Sequence, residues 1–145
     1  LSGVRWKGKT ELPKIDYEVT LQAKRTMGSD FFCGLTFPFK ESHATLILGG
    51  WGGSLIGISS LDDFDASENE TGDAYVFEDK KWYDVRLRVT EEKLQVWLDD
   101  KMVIDTDVEG RKVSMRFGEI EMSVPFGICT YATTGVIRDI KIKKL

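Results

Sequence analysis

From Ile15 to Lys24 the chain alternates without a break. Ile15, Tyr17, Val19, Leu21 and Ala23 are apolar, and Asp16, Glu18, Thr20, Gln22 and Lys24 between them are polar. A period of two sends successive side chains to opposite faces of a strand, so one face is buried and the other meets water. Such a strand cannot stand alone. Its apolar face needs a second layer. The same pattern recurs over Phe31–Phe39, Ala44–Leu48, Leu55–Ser60, Trp82–Val89, Leu94–Leu98, Met102–Asp105, Lys112–Phe117, Phe126–Tyr131 and Val136–Leu145. About ten to twelve short strands, separated by turns and with no amphipathic helix, predict an all-β, two-sheet antiparallel β-sandwich. Both ends of the chain read as strands and are expected to pair side by side.

The totals agree with one soluble globule. With 145 residues, 41% hydrophobic and 30% charged, the chain suits a single domain over residues 1–145. Fourteen glycines against three prolines fit tight turns and close backbone approaches. A net charge of −4 argues against a nucleic-acid partner, which needs clustered cations. Lys141, Lys143 and Lys144 alternate with Ile140, Ile142 and Leu145, the pattern of a last strand with a solvated face. No apolar run reaches the ~18 residues of a membrane span. The chain opens on Leu1 rather than Met, as a processed or excised product would. Cys33 and Cys129, too few for a disulfide scaffold, are either free buried thiols or one inter-strand bridge.

One block departs from the alternation. Gly49-Gly50-Trp51-Gly52-Gly53 surrounds a tryptophan with glycines, and a loop bearing Asp62, Asp63, Asp65, Glu68, Glu70 and Asp73 follows. Trp51 is either a plug for the end of the core or an aromatic platform at a cleft rim. The loop has three readings: a solvated structural turn, a calcium site, or a ligand-binding or acid/base loop. On extended chain Glu68 and Glu70 share a side and Asn69 faces away. Asn69-Glu70-Thr71 is also a glycosylation sequon.

The polar face of the first long strand carries Glu18, Thr20, Gln22 and Lys24. It is either plain solvated surface or, if the sheet curves, the floor of a trough to which Phe32, Gly34 and Thr36 add a stacking ring and space. Sugars pack their C–H faces on aromatics and bond their hydroxyls to carboxylates and amides. His43 is the single histidine and sits at a surface turn, so a triad or a zinc site through it is not expected.

Asp16–Lys24 (DYEVTLQAK), Asp30–Gly53 with its GGWGG, Trp82–Asp105 (WYDVRLRVTEEKLQVWLDDKMVID) and the closing GICTYATTGVIRDIKIKKL together resemble the 3-keto-disaccharide hydrolase family of concanavalin A-like jelly rolls. The likeness is strongest to planctomycete-type members with a DASENET-like loop. It implies two stacked sheets, an extracytoplasmic (secreted, periplasmic or cell-surface) setting, and the binding or hydrolysis of 3-keto-glycosides with no cofactor. Many members carry Glu where this chain has Gln22. If the domain is catalytic, the loop carboxylates Glu68 and Glu70 are the expected acid/base residues. Glu18, Gln22, Lys24, Phe32, Trp51 and Asn69 are expected to hold a carbohydrate. Glu70→Gln should then abolish hydrolysis and leave the melting temperature nearly unchanged. The alternative is a non-catalytic assembly module that self-associates.

Overall fold

The computed structural model describes residues 1–145. Eleven strands form two antiparallel sheets. They are β1 (Ser2–Arg5), β2 (Tyr17–Gly28), β3 (Cys33–Phe39), β4 (Ser42–Gly49), β5 (Leu55–Ser59), β6 (Asp73–Ala74), β7 (Tyr83–Val89), β8 (Lys93–Leu98), β9 (Lys101–Asp107), β10 (Gly127–Thr130) and β11 (Thr133–Lys144). One sheet has six strands in the order β1-β10-β3-β4-β5-β6, and the other has five in the order β11-β2-β7-β8-β9.

The alternation predicted from the sequence places the core. Tyr17, Val19, Leu21 and Ala23 on β2 lie opposite Val89, Leu87, Val85 and Tyr83 on β7. On the facing sheet Cys33, Leu35 and Phe37 lie opposite Leu48, Leu46 and Ala44. These side chains belong to one cluster of 28 buried residues between the sheets. Each fully buried aliphatic or aromatic side chain contributes about 1.5–3 kcal/mol. The Tyr17 hydroxyl is buried and donates to the Pro38 carbonyl, and burial holds its pKa well above the usual phenol value.

Three expectations need correction. The chain ends do not pair with each other: β1 joins β10 in the six-stranded sheet, and β11 joins β2 in the five-stranded one. Lys112–Phe117 is not a strand. Only Val113 bridges to Leu61, while the backbones of Ser60 and Ser114 exchange hydrogen bonds of 2.7 and 3.1 Å. This segment runs on as a strap, and Met115 and Ile120 cover the outer face of the six-stranded sheet beside Ile47 and Cys129. Phe32 is not exposed. β3 begins at Cys33, the parity shifts before it, and both Phe32 and Cys33 enter the core. The Phe32 ring stands 5.0 Å from that of Phe77, edge to face. Of the two readings for the cysteines, the first holds: Cys33 and Cys129 are free buried thiols. Cys33 belongs to the inter-sheet core and Cys129 to the outer cluster with Ile47, so they sit on opposite faces of one sheet. Burial pushes the Cys33 thiol up to about 12.

β11 is an edge strand, interrupted by bulges after Thr134 and Arg138 and carrying Lys141, Lys143 and Lys144. Bulges and lysines at an edge oppose the addition of another strand.

Candidate functional site

The outer face of the six-stranded sheet is low in its middle. Across the strands, Gly3, Cys129, Gly34, Ile47 and Gly57 stand in one row. A Cβ on Gly34 would come within 3.0 Å of both the Phe31 ring and Cys129 Sγ. One on Gly57 would come within 2.7 Å of the Ala66 Cβ. The missing side chains therefore admit Phe31 at one end and the acidic loop at the other. The neighbouring row Thr36, Thr45 and Ser59 is polar yet fully covered. Thr36 and Thr45 share a 2.8 Å hydroxyl hydrogen bond, Thr45 meets Met115 Sδ, and Ser59 Oγ accepts the Ala66 N–H.

Between Phe31 and the strap lies a hollow of about 420 Å³. Ile47 and Ile120 form its floor, and Phe31, Tyr131, Trp51 and Phe117 its walls. Phe31 and Tyr131 are stacked with centroids 6.3 Å apart. The Asp30 carboxylate ties this wall to the opposite rim, accepting the N–H of Phe31 at 2.8 Å and that of Gly52 at 3.3 Å. Trp51 itself adopts left-handed backbone (φ 49°, ψ 54°) in the glycine turn. That conformation costs a non-glycine residue about 1–2 kcal/mol. The strain holds a large ring 43% exposed at the rim. Arg116 lies over it, its guanidinium carbon 5.4 Å from the ring centroid.

Arg116 and Phe117 also border a second, polar hollow of about 340 Å³ with Ser60, Asp63, Asp65 and Ser114. Asp65 accepts the Ser60 hydroxyl at 3.5 Å and faces Arg116 Nε at 3.6 Å. An aromatic compartment and a carboxylate–guanidinium pair are thus joined at Arg116. Such a junction can stack a ring and bond its oxygens.

The acidic loop is anchored along its length. Asn69 donates to the Ile58 and Phe64 carbonyls and accepts the Thr71 N–H and hydroxyl, so its amide is fully engaged. Thr71 Oγ1 accepts the Ile58 N–H at 2.8 Å. Glu70 receives the Thr106 hydroxyl and a forked contact from Arg111, whose Nη2 lies 3.0 Å from Oε1. The Arg111 contact holds the Glu70 carboxyl down at about 2. A carboxylate so firmly ionised and paired is a weak proton acceptor. Arg111 Nε also bonds Asp62 at 2.8 Å, and Lys112 Nζ pairs with Asp63 at 2.7 Å. The loop's carboxylates are therefore taken up by the chain's own cations, Asp62 and Glu70 by Arg111, Asp63 by Lys112 and Asp65 by Arg116, instead of lying open to a shared calcium. Glu68 is exposed.

The other expected residues lie on the opposite sheet. Glu18 sits between Arg88, 2.8 Å away, and Arg86, 3.7 Å away. Gln22 donates to Asp84 and accepts from Arg138, both at 2.7 Å. Lys24 lies over Trp82, 4.5 Å from its ring centroid. The outer side of β2 is filled by its own neighbours, and the loop leans over the other sheet. Of the expected set, only Trp51 borders the aromatic hollow. Asp30, Phe31, Asp65, Arg116, Phe117 and Tyr131 were not expected. The adjacent Phe31-Phe32 was the one available signal, since successive residues of a regular strand face opposite ways and one of two adjacent rings is then left outside the core. His43 lies opposite Pro38, and burial lowers its pKa.

Two sheets with this topology and a hollow on the outer face of the larger one define a jelly-roll domain of the kind seen in carbohydrate-binding proteins. The chain belongs to the 3-keto-alpha-glucoside-1,2-lyase-like domain family, whose sequence model matches residues 3–143. Its fold is similar to that of the carbohydrate-binding module CBM66 from Bacillus subtilis (TM-score 0.59, 17% identity, 90% of this chain and 76% of that one). It is also similar to a doubly substituted human galectin-16 (TM-score 0.58, 13% identity, 99% and 94% of the two chains). A singly substituted form of human galectin-16 gives a TM-score of 0.56 at 14% identity over 90% and 89%. No curated protein matches the sequence.

Proposed function

We propose that the chain binds a glycoside in the compound hollow on the outer face of the six-stranded sheet. The observation that carries this reading is the convergence of Phe31, Trp51, Phe117 and Tyr131 on one cavity, with Arg116 and Asp65 at its polar end. Flat aromatic walls take the C–H faces of a pyranose, and the ion pair takes its oxygens. The family name and the carbohydrate-binding neighbours support the same ligand class.

A 3-keto-α-glucoside suits the polar end chemically. Its ketone acidifies the hydrogen on C2. With Asp65 as base, the C2–H electron pair forms a C2–C3 double bond and the ketone oxygen gains charge, which Arg116 stabilises. The charge returns to restore C3=O, a C1–C2 double bond forms, the glycosidic C1–O bond breaks, and the departing oxygen takes the proton from Asp65. Glu68 and Glu70 have no part in this scheme. The same reading sets the domain outside the cytoplasm, where polymeric glycans are met.

Titration of the chain with a 3-keto-disaccharide, followed by isothermal calorimetry, tests the binding. Trp51→Ala should weaken it about tenfold, the equivalent of about 1.4 kcal/mol. Asp65→Asn should keep binding and lose the ultraviolet-absorbing enone product. Unchanged binding in Trp51→Ala refutes the site. Enone formation that survives in Asp65→Asn refutes the base.

A further inference from the structure

The outer face of the five-stranded sheet is built to another plan, with cations gathered along its middle rows. Cross-strand register sets Lys143, Glu18, Arg88 and Gln95 in one row, and Lys141, Thr20, Arg86 and Trp97 in the next. Four cations thus stand in these two rows with Glu18, and Asp105 closes the first row against Gln95 on β9. Glu18 is taken up by Arg88, through Nε at 2.9 Å and Nη2 at 2.8 Å. Arg86 is left mainly to Trp97, with its guanidinium carbon 4.0 Å from the ring centroid. A guanidinium laid flat on an indole keeps its N–H edges free and its plane fixed, ready for a bidentate carboxylate. Lys141 flanks the same groove of about 340 Å³, in which Thr20 and Trp97 also take part. One row further on stand Asp84 and, in the turn after β8, Asp100, while Asp139 lies in the β11 bulge beside Lys141. They repel an anion there but accept hydroxyl hydrogens.

We infer that this groove is a second saccharide site, distinct from the aromatic hollow, and that it takes an acidic sugar polymer of the uronate class. The uronate carboxylate lies against Arg86 and Lys141, and the ring hydroxyls donate to the aspartates. A plain anion fits only the cations and a neutral sugar only the aspartates, whereas a uronate fits both. This site does not depend on the glycoside reading of the other face.

Affinity electrophoresis in gels containing polygalacturonate, with dextran as the neutral control, tests the inference. Polygalacturonate should retard the chain, dextran should not, and added salt should weaken the retardation. Arg86→Gln with Lys141→Gln should weaken it about tenfold, while the charge-matched pair Lys7→Gln with Lys9→Gln and the cleft variant Trp51→Ala should leave it intact. Circular dichroism melting of each variant separates a lost site from a lost fold. The inference is overturned by no retardation of the parent chain, by equal losses in the two lysine-containing pairs, or by loss in Trp51→Ala alone. Salt-dependent self-association seen by sedimentation, with no retardation by polygalacturonate, would assign the face to a second copy and overturn it as well.

Discussion

The two outer faces of the sandwich begin from the same alternation and end differently. On the five-stranded sheet the outward residues are long, and they close the surface among themselves: Glu18 with Arg88, Gln22 with Asp84 and Arg138, Arg86 on Trp97. On the six-stranded sheet the corresponding row contains Gly34 and Gly57, and the vacated volume is taken by Phe31, Ala66 and the strap with Met115 and Ile120. Small outward residues thus recruit loops, and loops make concave sites. Long paired residues make a flat face with shallow grooves.

The sharpest way to break this contrast is at Phe32, which the sequence assigns to an outer face and the structure to the core. Phe32→Ala should cost about 3–5 kcal/mol in urea unfolding, as for other buried phenylalanines. A loss under about 1 kcal/mol would return the ring to the surface. Next comes Gly57→Val, whose added atoms meet Ala66. Overpacking of this kind costs about 1–3 kcal/mol. It should lift the acidic loop, seen as faster amide exchange at Ala66 and Asn69 with little change on β7 and β8.

Glu70→Gln should have a smaller effect on stability, about 1 kcal/mol, because its side chain is 49% exposed and solvent screens the pair. Its folded pKa of about 2 lies below the ordinary 4.5. The stabilisation is therefore fully present above about pH 4.5 and fades as pH falls toward 2. Melting of the parent chain and of Glu70→Gln across that range should converge at the acid end. This reverses the expectation from the sequence that Glu70 is dispensable for stability. Smallest is Gln22→Ala, within about 0.5 kcal/mol, since one exposed polar network carries little net energy. It should leave glycoside binding on the opposite sheet unaltered, and a loss of binding there would join the two faces after all.

How much was legible can be argued from particular residues. The inward set of β2, β7 and β8 was readable because burial on one face follows from period alone. Trp51 was readable as a rim residue because glycines on both sides cannot bury a ring. Arg111 as the partner of Glu70, 41 residues away, was not readable, because no local rule pairs them. Nor was the strap after Lys112, whose alternation imitates a strand but which bridges only Ser60 and Leu61 before it crosses the face of the sheet.

The sequence by itself determined that this protein is a β-sandwich and which side of most strands is dry, since both depend on the order of polar and apolar residues along a pleated chain. Only the tertiary structure decided which of the two wet faces carries a cleft. That depended on side-chain volumes at Gly34, Ile47 and Gly57, residues that become neighbours only when three strands are laid in register.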